Sequence, residues 1–105
     1  MRGKLNRKTV CKDGFTMSVQ ANEGVHCDPR IDDADRYTAV EVGYPSMEEP
    51  LIMEWAGDKN NPTDTVYGYV PTHRIALVCA KHGGVVSGDL PPGIPRLEHK
   101  TLDKR

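Results

Sequence analysis

Aromatic side chains are scarce in this chain, with one Phe, one Trp and four Tyr among 105 residues. The core is therefore expected to be modest and filled mainly by Val, Ile, Leu, Met and Ala. Long apolar runs are missing too. Nothing approaches the ~20 apolar residues that a bilayer-spanning helix needs, so no integral membrane protein is expected. The basic start, Met1-Arg2-Gly3-Lys4, has no apolar stretch behind it, and no secretory signal is expected. Cysteines are few and odd in number: Cys11, Cys27 and Cys79 lie far apart. A secreted disulfide scaffold uses a denser, even set, so reduced thiols in a cytoplasm are the better reading.

Charge is unevenly spread. Residues 1–12 carry five bases and no acid, a net of +5. Residues 13–65 carry twelve acids against Arg30, Arg36 and Lys59, a net of −9. Residues 66–105 carry six bases and three acids, a net of +3. Such asymmetry bears on partners and solubility, not on fold.

The clearest local signal is a hairpin. Residues 8–12 lead into Asp13-Gly14, a preferred pair for a two-residue type I′ turn, and then into a strand over 15–21. Phe15, Met17, Val19 and Ala21 alternate with Thr16, Ser18 and Gln20, which marks a half-buried strand. The turn places Val10 opposite Met17 on the same apolar face. A polar loop spans 22–36, and a strand follows over 37–44. Segment 46–58 is ambiguous between helix and strand. Ser46 with Glu49 resembles a capping box, and Met47, Leu51 and Trp55 recur at helical spacing, although Pro50 interrupts. Leu51, Met53 and Trp55 share a face if it is extended, and a short helix is favoured. Residues 65–70 read as another strand. Thr72 is expected to cap a helix over 73–82 that buries Ile75, Val78, Cys79 and His82 and stops at Gly83-Gly84. Val85-Val86 suits a short edge strand. The expectation is a single α+β domain over residues 1–90. Its small antiparallel sheet has three to five strands, with one or two helices on one face. A proline-rich, charged tail is expected over 91–105.

Several constellations bring chemistry-capable side chains together in the sequence. Cys79 and His82 lie three apart on one helix face, and with Cys27 they form the alternative of a zinc- or thiol-dependent enzyme. No Cys-x-x-Cys pair supports it, and no catalytic signature surrounds either thiol. Asp28, Asp32, Asp33 and Asp35 lack the fixed spacing of a calcium loop. Gly83-Gly84 closes a helix instead of opening one, so it does not cradle phosphate. No cofactor is expected. Direct nucleic-acid binding is disfavoured by a pI near 6.4 and the absence of a recognised motif. The acidic middle instead suits imitation of a phosphate backbone toward a basic partner, provided its carboxylates gather on one exposed surface. Asp32, Asp33, Asp35, Glu48, Glu49 and Glu54 are the expected charge donors. Tyr44 and Trp55 are the expected anchors.

The strings DGFTMSVQA (13–21), YTAVEVGYP (37–45), TDTVYGYVP (63–71) and KHGG (81–84) resemble those of small proteins encoded by bacteriophages and prophages. The likeness spans residues 4 to 93 and transfers no functional residue. It implies an accessory protein of the anti-defence kind, including anti-CRISPR proteins. Such a protein binds a host defence protein or ribonucleoprotein complex in the host bacterial cytoplasm without catalysis. A structural or ligand-sequestering phage component is the further alternative.

Overall fold

A computed structural model describes residues 5–95. The hairpin forms, but with a different turn. Strand β1 (Thr9–Cys11) pairs antiparallel with β2 (Thr16–Gln20), placing Thr9 opposite Met17 and Val10 opposite Thr16. The Gly14 N–H donates to the Cys11 carbonyl (2.9 Å) and the Cys11 N–H to the Phe15 carbonyl (2.8 Å). Only Gly14, at φ 97°, takes the left-handed conformation in this turn. This is the three-residue loop in which a type I turn is followed by a left-handed glycine, not the expected two-residue type I′ turn. A shift of one residue turns β1 over. Thr9 and Cys11 therefore enter the core, and Val10, expected there, faces away.

Strand β3 (Ala39–Gly43) adds to the other side of β2, and β4 (Val66–Pro71) adds to β3. Strand β5 (Val85–Ser87) pairs with β1 at the opposite edge. The described residues thus build one five-stranded antiparallel sheet, ordered β4-β3-β2-β1-β5, and one α-helix. That helix, α1 (Thr72–Lys81), carries the chain from one edge of the sheet to the other. The α+β expectation holds, as does the buried stripe of Ile75, Val78, Cys79 and His82. Thr72 does not act as a cap from outside. It is the first helical residue, and its N–H donates to the Thr38 carbonyl (3.0 Å), so the helix springs directly from β4.

Met17, Val19, Val40, Val42, Tyr67 and Val70 point from the sheet into the layer shared with Ile75 and Val78, and all are fully buried. The reverse face, carrying Thr16, Ser18, Gln20 and Glu41, is only half-covered. One covered face and one wet face is the usual arrangement for an antiparallel sheet.

The connection between β3 and β4 departs from the expected short helix. Ser46 does not cap one. Its N–H donates to the Thr16 carbonyl (2.8 Å), and its Oγ accepts from the Thr16 N–H (3.0 Å), which lashes it to the start of β2. Turns at Glu49–Ile52 and Pro50–Met53 lead into a single 3₁₀ turn, Met53–Trp55. Pro50 and the diversion of Glu49, described below, remove what a longer helix needs. Ile52 is the residue this segment contributes to the core.

The chain stays on the domain beyond residue 90, where the tail was expected to begin. The Tyr37 N–H donates to the Pro92 carbonyl (2.9 Å), and Pro91 and Ile94 are buried. The remainder of the expected tail, 96–105, lies outside the described residues.

Two glycines distinguish conformational from steric demand. Gly14 and Gly88 both adopt positive φ, but a Cβ on Gly14 meets nothing within 4 Å, whereas one on Gly88 collides with the Lys8 carbonyl. Gly14→Ala is expected to cost ~1 kcal/mol from backbone strain alone. Gly88→Ala should cost well beyond that, ~3 kcal/mol, because β1 or the turn after β5 must move. Urea unfolding midpoints of the two variants measure the difference.

Candidate functional site

A buried polar residue needs partners, because an unpaired one costs free energy on leaving water. His82 closes α1 on its buried stripe and is 6% exposed. Its Nε2 lies 2.7 Å from Glu49 Oε1 and its Nδ1 lies 2.7 Å from Asp13 Oδ2. Ionised carboxylates only accept hydrogen bonds, so both ring nitrogens must donate, and the ring is an imidazolium. Phe15 stacks on it, with centroids 4.1 Å apart and planes 12° from parallel.

Each partner is itself held in place. Glu49 is 1% exposed, and its Oε2 accepts from Lys81 Nζ (2.9 Å) and from the Leu51 N–H (3.0 Å). The Asp13 Oδ1 accepts from the Phe15 N–H (2.9 Å), and the Asp13 N–H donates to the His82 carbonyl (3.2 Å). Two carboxylates thus face two cations, and the charge closes on itself. Burial alone would lower the His82 pKa, but its hydrogen bonds to Glu49 and Asp13 outweigh this and raise it above the ordinary imidazole value. Burial pushes the Glu49 carboxyl up, yet the Leu51 N–H, Lys81 and His82 together hold it below the usual carboxylate range. Asp13 is lowered chiefly by the Phe15 N–H and then by His82.

Glu49 was expected as a surface charge donor. Its burial against His82 removes it from that role. By local pattern Asp13 marks only a turn. The one signal in the sequence was His82 itself, a polar residue on a buried stripe and therefore in need of partners.

The other expected contact residues are placed as follows. Asp33 and Asp35 are exposed, and Asp32 is half-buried, its Oδ1 accepting from the Glu23 N–H (3.0 Å). Asp32 and Asp33 line a pocket of about 140 Å³ beside Gln20, Asn22, Tyr37 and Leu90, at the end of β2. Glu48 and Glu54 are exposed. Glu48 belongs to the segment that Ser46 ties to Thr16, at the start of β2. Glu54 lies beyond the outer edge of β4, where Ala56 bridges Tyr67. With Glu49 buried, the six expected donors do not all share one exposed surface. Tyr44 is 55% exposed and held at φ 48°. Trp55 is half-buried, with the Arg74 guanidinium 5.6 Å from its ring centroid, so it is engaged within the chain.

The alternative grouping of Cys27, Cys79 and His82 is not assembled. The Cys27 thiol donates to the Asn22 and Pro29 carbonyls (3.2 and 3.4 Å), and burial pushes its pKa up. Both nitrogens of His82 are occupied by carboxylates. Among the described residues no group of three or more His, Cys, Asp or Glu side chains is placed to hold a metal ion. No helix among them is long and apolar enough to cross a membrane.

The fold and this cluster define the class: a small α+β domain whose ionisable interior is internally neutralised. Comparison of the chain with protein-family models, curated proteins and solved structures finds no match to any of them.

His82→Ala leaves Glu49 buried with two of its three partners and is expected to cost ~3 kcal/mol or more, as breaking buried ion pairs does. Stability should peak between two arms of a pH profile. The His82 contribution is complete below its unfolded value of about 6.5 and is lost as pH rises through its raised folded value. The Glu49 and Asp13 contributions are complete above about pH 4 to 4.5 and are lost as pH falls through their lowered folded values. Urea midpoints against pH should show both arms in the parent chain and a flattened alkaline arm in His82→Ala.

Proposed function

We propose that this chain is a phage-encoded, non-enzymatic inhibitor of a bacterial defence system, of the anti-CRISPR kind, acting in the host cytoplasm. It binds a basic groove of a defence protein or ribonucleoprotein through acidic surface. The observation that carries this reading is the separation of its charges into two populations. Inside, Glu49 is matched by His82 and Lys81 and is shielded from any partner. Outside, Asp33, Asp35, Glu48 and Glu54 are exposed in a segment of net −9, beside an exposed Tyr44.

Several separate exposed carboxylates suit a groove that follows a phosphate backbone better than a pocket for one ion. Complementary potential of this kind raises association rates and selects partners. Tyr44 supplies aromatic contact area at low entropic cost.

The test is phage plating on a bacterial host with an active CRISPR defence, with and without this protein expressed. Expression is expected to restore plating of a targeted phage. Failure across the host's defence systems would overturn the inhibitor reading. Asp33→Asn, Asp35→Lys, Glu48→Lys and Glu54→Lys combined change only exposed positions, with Asn at 33 because it tolerates the left-handed backbone there. This variant should keep the parent's circular dichroism and lose about tenfold or more of the protection through slower association. Undiminished protection would sink the acidic-surface mechanism while leaving inhibition standing.

A further inference from the structure

Two of the three cysteines are brought together by the fold, although 67 residues separate them in the chain. Cys11 ends β1 and is 1% exposed, and Cys79 lies in the last turns of α1 and is 4% exposed. Backbone hydrogen bonds bring their elements into register. The Gly84 N–H donates to the Cys79 carbonyl (2.8 Å), and the Lys12 N–H donates to the Gly84 carbonyl (2.9 Å). Cys11 is also the residue opposite Val85 where β5 joins the sheet. Both side chains lie in the same buried core, where the Cys79 side chain is the largest influence holding the Cys11 thiol below its ordinary value. Both are in the thiol form. Cys27 is bonded elsewhere, to the Asn22 and Pro29 carbonyls.

We propose that Cys11 and Cys79 form a redox-modification site, closing to an intramolecular disulfide when the protein meets a hydroperoxide and reopening when a thiol reductant is supplied. This goes beyond the inhibitor reading and does not depend on it.

The surroundings suit the chemistry. The thiolate is the reactive form of cysteine, and neighbouring positive charge favours it. The Cys79 thiol and, beyond it, the His82 imidazolium favour the Cys11 thiolate, against burial and the Asp13 charge. The groups facing the pair thus include Asp13 from the hairpin turn and His82 from the helix end, with Glu49 and Lys81 behind His82. Access is offered at the edge strand that pairs with the end of β1. Strand β5 is a three-residue edge strand with Val86 61% exposed, and Gly83 and Gly84 lead into it at positive φ. Short edge elements open locally more readily than the core does.

The reaction balances as written. The Cys11 sulfur attacks one peroxide oxygen and the O–O bond breaks, giving a sulfenic acid at Cys11 and one molecule of water from hydrogen peroxide, or of alcohol from an organic hydroperoxide. The Cys79 sulfur then attacks the Cys11 sulfur. The S–O bond breaks, the S–S bond forms and a water molecule leaves. The two thiols lose two electrons and two protons in total, and the peroxide takes up both.

The experiment treats the native full-length protein with hydrogen peroxide, quenches it, then denatures and alkylates the remaining thiols for mass spectrometry. Three alkylated cysteines before treatment should fall to one, Cys27. No oxygen should be added, a peptide pair should join Cys11 to Cys79, and dithiothreitol should restore all three. Cys27→Ala should form the same bridge, whereas Cys79→Ala should not. Because Cys79→Ala can disturb the core, the peptide map of the unsubstituted protein decides the matter independently. Retention of three thiols would overturn the proposal. So would a bridge containing Cys27 or joining two chains, or bridge formation only after urea unfolding.

Discussion

A charged imidazole ring held inside a protein dictates what surrounds it. His82 sits at the end of α1 with both nitrogens committed, one to Glu49 and one to Asp13. Those carboxylates come from segments 36 residues apart in the chain, the β1–β2 turn and the connection before β4. A buried ion keeps its charge only when counter-charges and hydrogen bonds replace lost water, so all three segments must arrive together. Lys81 completes the neutralisation from the helix, and Phe15 covers the ring. Much of the domain's irregular structure answers to this requirement. The turn is a three-residue loop that brings Asp13 to the ring, and residues 49–52 form tight turns because Glu49 faces inward.

The same arrangement separates the interior from the outside. One sheet face is covered by α1 and by Ile52, while the other, with Thr16, Ser18, Gln20 and Glu41, stays half-wet. The chain's acidity is thereby sorted. Glu49 is consumed within, and Asp33, Asp35, Glu48 and Glu54 are left exposed. Trp55, held under Arg74, contributes to the connection that carries Glu49 and not to a free contact surface. The Cys11–Cys79 contact lies close to the same ionic chain, so any change in the thiols would be felt where β1, β5 and the helix end meet.

Local patterning was enough to read the regular elements. Strict alternation in 15–21 marked β2, and the stripe of Ile75, Val78, Cys79 and His82 marked the inner side of α1, because period and hydrophobicity are properties of neighbouring residues. Parity and partnership were not legible. Whether two or three residues make the turn decides if Val10 or Cys11 is buried, and Asp13-Gly14 suits either loop. Ser46 and Glu49 have the spacing of a capping box, but each found a stronger partner elsewhere, Ser46 on Thr16 and Glu49 on His82. Residues 91–94 look like a tail by composition, yet their contact with Tyr37 lies more than fifty residues away in the chain.

From its sequence alone this protein determined its fold class, the approximate extents of most strands and of the helix, and the unequal distribution of its charge. Those depend on composition and on interactions within a few residues. Tertiary structure alone decided which carboxylates are spent on a buried cation, which are left exposed, and which two of three thiols are brought into the core beside that cation. Those are contacts between distant segments, and no local pattern encodes the pairing of groups that meet only when the sheet closes under the helix.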